Sequence, residues 1–351
     1  MLPKHKAFLQ LEPVDRPLLG AWVGGYYPAE QFPRGHSNWN IGQQLEPKDV
    51  CFDNFRDDYE ALYNIHREVD DDFFYVGSAY WGIPWIEAIL GCPIYVGQTS
   101  CWAASCPEFS YNMSSICLDI QANPWFQCLM QFTKDLLDFS DDRFPICPPL
   151  LRGPGDAASA MKGPEAVVMA LIENETWIGA LLSNCAKIRL EVLLQLQHII
   201  PSWFGTHAAG GYPSKLWATQ TVSYYQDDFA TLLNPSLFAE FLLPLVRMTN
   251  LLADIHFIHL HSSSLYMLDM LLKDDTFSVI EVNLDHPDTG PLLSQYLPAL
   301  RRIQNAGRSL LLWGEINQTD WKLLQCKLKP TGLSIQPIIR HPGEMLSYRW
   351  F

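Results

Sequence analysis

Asp254-Ile-His-Phe-Ile-His-Leu-His-Ser-Ser-Ser264 is the stretch on which the reading of this chain turns. It follows an amphipathic helical pattern and leads into a second one, so it reads as a buried strand that surfaces into a polar turn. Side chains two apart in a strand share a face, so His259 and His261 are expected to converge on one spot. Ser262, Ser263 and Ser264 then supply hydroxyls and a helix start.

Beyond this stretch the alternation is regular. Leu265–Leu272 has a helical pattern, Phe277–Leu284 a strand pattern, Leu292–Asn305 a helical one. Ser309–Trp313 is expected as a strand, Thr319–Cys326 as a helix capped by Thr319, and Leu333–Ile338 as a last strand. Upstream, Leu18–Val23, Phe73–Val76, Phe144–Leu151 and Leu216–Thr219 are the remaining strand candidates. The prolines of 144–151 make it a poor ladder member. Asn123-Pro124 and Asn234-Pro235 are helix starts, with Asn as cap and Pro in the first turn. The longest helical pattern runs from Thr176 to Ile200. Eight strand–helix units predict a parallel sheet in a single α/β domain over residues 1–351, a (β/α)8 TIM barrel with an N-terminal extension and an irregular insertion around 78–122. A doubly wound open sheet is the alternative, but neither G-x-G-x-x-G after a first strand nor a P-loop is present.

Composition narrows the function. The 351 residues carry a formal net charge of -14 and are 48% hydrophobic. That acidity argues against nucleic acid or anionic membrane as partner. Nine scattered cysteines without a CxxC pair suit reduced thiols, and no apolar h-region or membrane-length apolar run is seen, so a cytoplasmic protein is expected. Twelve tryptophans and fourteen tyrosines supply core and, at some positions, walls for a flat or apolar ligand.

A parallel barrel carries its site at the C-terminal ends of the strands. His259 and His261 form half of a metal site there, with Glu281, Asp285 or Glu315 as a carboxylate third ligand. The plain alternative is that one imidazole meets a backbone carbonyl and the other a carboxylate. Glu281, Asn283 and Asp285 share one face of an apolar strand, which is costly unless they are paired or functional. Asp227 and Asp228 are candidates for proton transfer, or ordinary helix caps. Arg152 is a candidate carboxylate fork, or an ion-pair partner of Asp156. Gln226, Tyr26, Tyr27, Trp81 and Trp313 are candidate substrate contacts, with packing as the alternative for each aromatic ring.

These residues resemble the uroporphyrinogen decarboxylase superfamily. Asn234-Pro-Ser-Leu-Phe-Ala-Glu-Phe-Leu-Leu-Pro244 is similar to its S-P-x-x-F-x-x-F-x-x-P segment, and Ile258-His-Leu-His-Ser262 to the L-H-x-C-G of its cobalamin-dependent methyltransferase branch. Arg16-Pro-Leu-Leu-Gly-Ala-Trp22 resembles the R-P-P-V-W start, and Glu87-Ala-Ile-Leu-Gly91 the E-A-x-G segment. The resemblance implies a barrel, a zinc ion and a corrinoid carried on a partner protein. It also marks departures. The arginine-rich turn after the first strand is replaced by Val23-Gly-Gly-Tyr-Tyr27, and the decarboxylase aspartate falls at about Trp81. His261 takes the first zinc-cysteine position, and Gln336 lies near the second. The expectation is metal-assisted methyl transfer on a small substrate. The alternatives are a metal-free decarboxylase or lyase using Asp227, Asp228 or Asp285 with Arg152, and a non-catalytic tetrapyrrole- or corrinoid-binding barrel.

Overall fold

The computed structural model describes residues 2–106, 119–209, 216–250, 252–285 and 290–350. Its centre is a parallel sheet of seven strands: β1 (Leu18–Leu19), β2 (Trp22–Val23), β8 (Val222–Tyr225), β9 (Ile255–His261), β10 (Val279–Leu284), β11 (Ser309–Gly314) and β12 (Leu333–Ile339). The order is β1-β12-β11-β10-β9-β8, with β2 also on β12. Helices alternate with the last five strands, as the sequence pattern requires. The expected strands at 256–261, 277–284, 309–313 and 333–338 become β9, β10, β11 and β12.

All four of the other expected strands differ, each for a local reason. The first is broken at Gly20, where a β-carbon would strike the Phe73 ring, so β1 and β2 are two short pieces. The second and third meet only at a parallel bridge between Gly77 and Ile146. Their neighbours Pro145, Pro148 and Pro149 have no N–H to extend a ladder. The fourth is displaced: Leu216–Ala218 is β7, paired antiparallel with β6 (His207–Ala209), and the sheet strand is β8, six residues later. Regular hydrogen bonding therefore gives an open sheet with β1 and β2 at one edge and β8 at the other, and the segments 73–76 and 144–151 lie outside it. Segment 144–151 is tied to β8 by a side chain. The guanidinium of Arg189, from helix Thr176–Ile199, donates to Leu151 O at 3.0 Å and Tyr224 O at 2.7 Å.

Side chains organise two cores. Phe8, Leu18, Trp22, Phe73, Leu150, Leu216, Tyr224, Phe257, Val279, Leu311, Trp313 and Ile338 meet in one, to which each of the eight expected strand segments contributes a side chain. The larger core lies between the sheet and its helices. Helix Leu2–Leu9 sits across the N-terminal ends of the strands. Phe8 O accepts from Ser309 Oγ at 2.9 Å, and His5 Nδ1 accepts from Trp217 N at 3.1 Å. The irregular stretch contributes a small antiparallel sheet of β3 (Gln44–Leu45), β4 (Ile94–Val96) and β5 (Cys101–Ala103). Asn123 and Asn234 cap their helices as expected, whereas Asn317, not Thr319, caps helix Gln318–Lys327.

Candidate metal centre

Parallel register stacks the polar residues into rows. His259 lies beside Glu281, and His261 beside Asn283, Trp313 and Gln336 on successive strands. Because β8 ends at Tyr225, Gln226, Asp227 and Asp228 follow directly at the sheet's C-terminal edge, next to β9.

The two imidazoles converge as the strand spacing predicts, with ring centroids 5.0 Å apart and planes at 87°. Each is turned by a carboxylate at Nδ1: Glu281 Oε1 lies 2.5 Å from His259 and Asp285 Oδ1 2.5 Å from His261. Asp285 is itself fixed by Ser262 Oγ at 2.5 Å and Ser263 N at 3.2 Å. Glu281, fully buried, also accepts from Trp313 Nε1 at 2.9 Å and Tyr224 O–H at 3.4 Å. These contacts leave both Nε2 atoms facing the same space. His261 Nε2 is 3.4 Å from Asp228 Oδ1, and the buried His259 Nε2 has no hydrogen-bond partner among the described residues. Asp228, His259 and His261 each present one ligand atom within 4.8 Å of the others.

Among the described residues the carboxylate grouped with the two imidazoles is that of Asp228, and Glu281, Asp285 and Glu315 are not in the group. Glu281 and Asp285 lie behind the histidines, where a carboxylate fixes the tautomer and raises ligand basicity. Asp228 could hold a metal with them. The sequence reading set Asp228 at a distance because it placed the fourth strand too early. With β8 at 222–225, the two-residue rule puts Tyr224, Gln226 and then Asp228 on the site's side. Gln226 holds this carboxylate: its Nε2 donates to Asp228 Oδ2 at 2.9 Å and its Oε1 accepts from Tyr224 O–H at 3.1 Å. Tyr224 was not among the expected site residues.

The other candidates separate by their contacts. Asp227 is a cap, accepting from Gly155 N at 2.9 Å, Asp156 N at 3.0 Å and Tyr225 O–H at 2.8 Å. Burial pushes its carboxyl up to about 7. Asp156 returns the arrangement by accepting from Asp228 N and Phe229 N. Arg152 pairs with Glu87 at 3.4 Å rather than with Asp156. Glu315 faces Arg340 at 3.6 Å and is not in the histidine cluster. Tyr26, Trp81 and Trp313 do gather at the strand ends. Trp313 stacks on Trp22 at 4.3 Å, Trp81 meets Trp22 edge-on at 6.0 Å, and Tyr26 O–H donates to Asn283 Oδ1 at 3.1 Å. Tyr27 packs edge-on to Tyr26 at 4.9 Å. Gly24 and Gly25, with φ of 102° and 132°, make the turn that brings Tyr26 there.

Electrostatics favour a cation. Glu281, Asp228 and Asp285 surround two imidazoles. Burial alone would lower the His261 pKa, but its hydrogen bonds to Asp228 and Asp285 raise it to about 10. Burial would likewise raise Asp228, yet His261 holds its carboxyl below the usual carboxylate range. A divalent ion satisfies the same field and also gives His259 Nε2 the partner it lacks. Two imidazoles and a carboxylate are a donor set suited to zinc.

No protein-family model matches the chain, and no curated protein matches its sequence. Among solved structures, a methyltransferase from Methanosarcina mazei superposes with a TM-score of 0.58 at 12% identity, covering 98% of this chain and 96% of that one. At that identity the similarity is one of fold.

Proposed function

We propose that this protein is a metal-dependent enzyme of methyl transfer, built as a variant (β/α)8 barrel in the uroporphyrinogen decarboxylase superfamily. The observation that carries the proposal is the orphaned, buried Nε2 of His259, aimed at the same space as His261 Nε2 and the Asp228 carboxylate. The similarity of fold to a methyltransferase over nearly the whole of both chains supports the reaction class.

In this reading Asp228, His259 and His261 hold a zinc ion, which when bound supplies Lewis acidity to a small nucleophile. Glu281 and Asp285 keep both Nδ1–H groups pointed away from the ligand space, so that each Nε2 presents its lone pair. Gln226 restrains the Asp228 carboxylate. Trp22, Trp313, Trp81 and Tyr26 screen the site from water, and their faces suit a small apolar or flat substrate. Relative to a His/Cys/Cys site, this donor set is harder and leaves more positive charge on the ion.

Elemental analysis of protein purified without chelator tests the proposal. About one zinc per chain is expected, falling to background in His259→Ala with an unchanged circular dichroism spectrum. Wild-type protein that holds no stoichiometric metal, even after reconstitution with zinc, sinks it.

A further inference from the structure

Between 144–151 and β8 lies a cavity of about 200 Å³. Its walls include Ile146, Pro148, Leu151, Leu193, Val222 and Tyr224, and its polar lining is Arg189, Gln197, His207 and Thr221. None of Asp228, His259 and His261 lines it, although Tyr224, whose O–H supports Gln226 and Glu281 at the candidate metal centre, forms part of its wall.

Arg189 is the unusual member. It is only 2% exposed, and its hydrogen bonds among the described residues go to backbone carbonyls rather than to a carboxylate. This occurs in a chain with 38 acidic residues against 24 Lys and Arg. Its Nε and Nη2 donate to the Leu151 and Tyr224 carbonyls, and Tyr225 presents its ring 5.5 Å from Cζ. Those two bonds suffice to strap the seam. They leave Nη1 without a hydrogen-bond partner among the described residues, although a guanidinium carries five N–H donors. Asp227 acts on this cation from beyond Tyr225 without an ion-pair contact, and the direct hydrogen bonds go only to neutral carbonyls. A buried guanidinium so placed, beside a cavity with mostly apolar walls, is complementary to an anion with an apolar body.

The geometry points to a second binding site at this seam, for a compact monocarboxylate whose carboxylate sits on Arg189 and whose apolar part lies against Pro148, Leu193 and Val222. The volume is below the range usual for drug-sized ligands, which limits the ligand to a short chain or a single ring. The half-buried Gln197 and the exposed Pro201 stand at its rim.

Calorimetric titration of the purified, metal-loaded protein with octanoate, and with octanamide as its neutral counterpart, tests this. Octanoate binds, and octanamide binds at least about tenfold more weakly, since a neutral amide forfeits the charge-assisted bond. Arg189→Lys keeps the charge but loses the fork, and weakens octanoate by a similar factor. Gln197→Trp fills the rim without touching the strap; it abolishes octanoate binding while metal content stays as in wild type. His259→Ala binds octanoate like wild type, which separates this site from carboxylate binding at a metal. Equal affinity for acid and amide, no octanoate binding by wild type, wild-type affinity in Gln197→Trp, or loss of binding in His259→Ala would each overturn the proposal.

Discussion

At the residue scale, the centre depends on which carboxylate stands in front of the histidines and which behind. On the proposed reading Asp228→Ala removes a ligand and releases the metal, as does His261→Ala. Glu281→Gln and Asp285→Asn leave all three ligands and disturb only the bonds behind them. Their metal affinity should fall roughly 10–100-fold rather than vanish, read by competition with a chromogenic chelator. Equal loss in all four variants would mean that Glu281 and Asp285 are ligands themselves. Asp227 makes the opposite prediction. Asp227→Ala should cost about 1–3 kcal/mol of stability through lost caps on buried N–H groups, while metal content is retained. Denaturant midpoint and elemental analysis on one sample separate the two effects. Glu315→Gln, outside the histidine cluster and paired with Arg340, should leave metal content unchanged.

At the element scale, the short β8 and the helix Pro154–Lys162 are locked by paired turns, each carboxylate capping the other's backbone. The approach is close: a β-carbon at Gly155 would lie 2.6 Å from Asp227 Oδ1. Gly155→Ala should therefore destabilise the fold and, by pushing on the turn that carries Asp228, weaken metal binding as well. Asn123→Ala offers a contrast. It removes the cap of helix Pro124–Ser140, far along the chain from the site, and should cost about 1 kcal/mol with no change in metal affinity. Both are read from thermal unfolding of the metal-loaded protein with parallel metal titrations.

At the scale of the whole molecule, the N-terminal helix and the segment 70–73 close the end of the sheet opposite the site. Burial lowers the His5 pKa to about 4, so the imidazole is neutral in the fold, with Asp72 O 3.0 Å from Nε2. Asp72 faces Lys4 and Arg16. Burial would raise its carboxyl, but their hydrogen bonds hold it down at about 2. The signs agree. The unfolded chain takes up a proton at His5 near pH 6.5 and the folded chain only near 4, so the His5 contribution is complete above pH 6.5 and lost as pH falls toward 4. That is on the order of 3 kcal/mol. The Asp72 contribution is present above about pH 4 and is lost as pH falls toward 2. Urea midpoints should thus decline from pH 7 to 4, and His5→Asn should flatten that decline without raising stability at pH 7. A midpoint that holds level from pH 7 to 4 in wild type would show that His5 is not held neutral.

Periodicity along the chain was enough to determine the parallel α/β fold, the positions of its last four strands along the chain and the convergence of His259 and His261. Strand and helix periods are local, and two-residue spacing needs no partner to orient side chains. The proline-laden 144–151 and the two apolar runs 216–219 and 222–225 were not decidable that way. Either run satisfies a strand pattern, and only pairing with β9 selects the second. That selection brings Asp228 to the histidines, turns Glu281 and Asp285 into their supports, and leaves the seam spanned by Arg189. Such assignments depend on which strands become neighbours, a long-range contact that no window of the sequence contains.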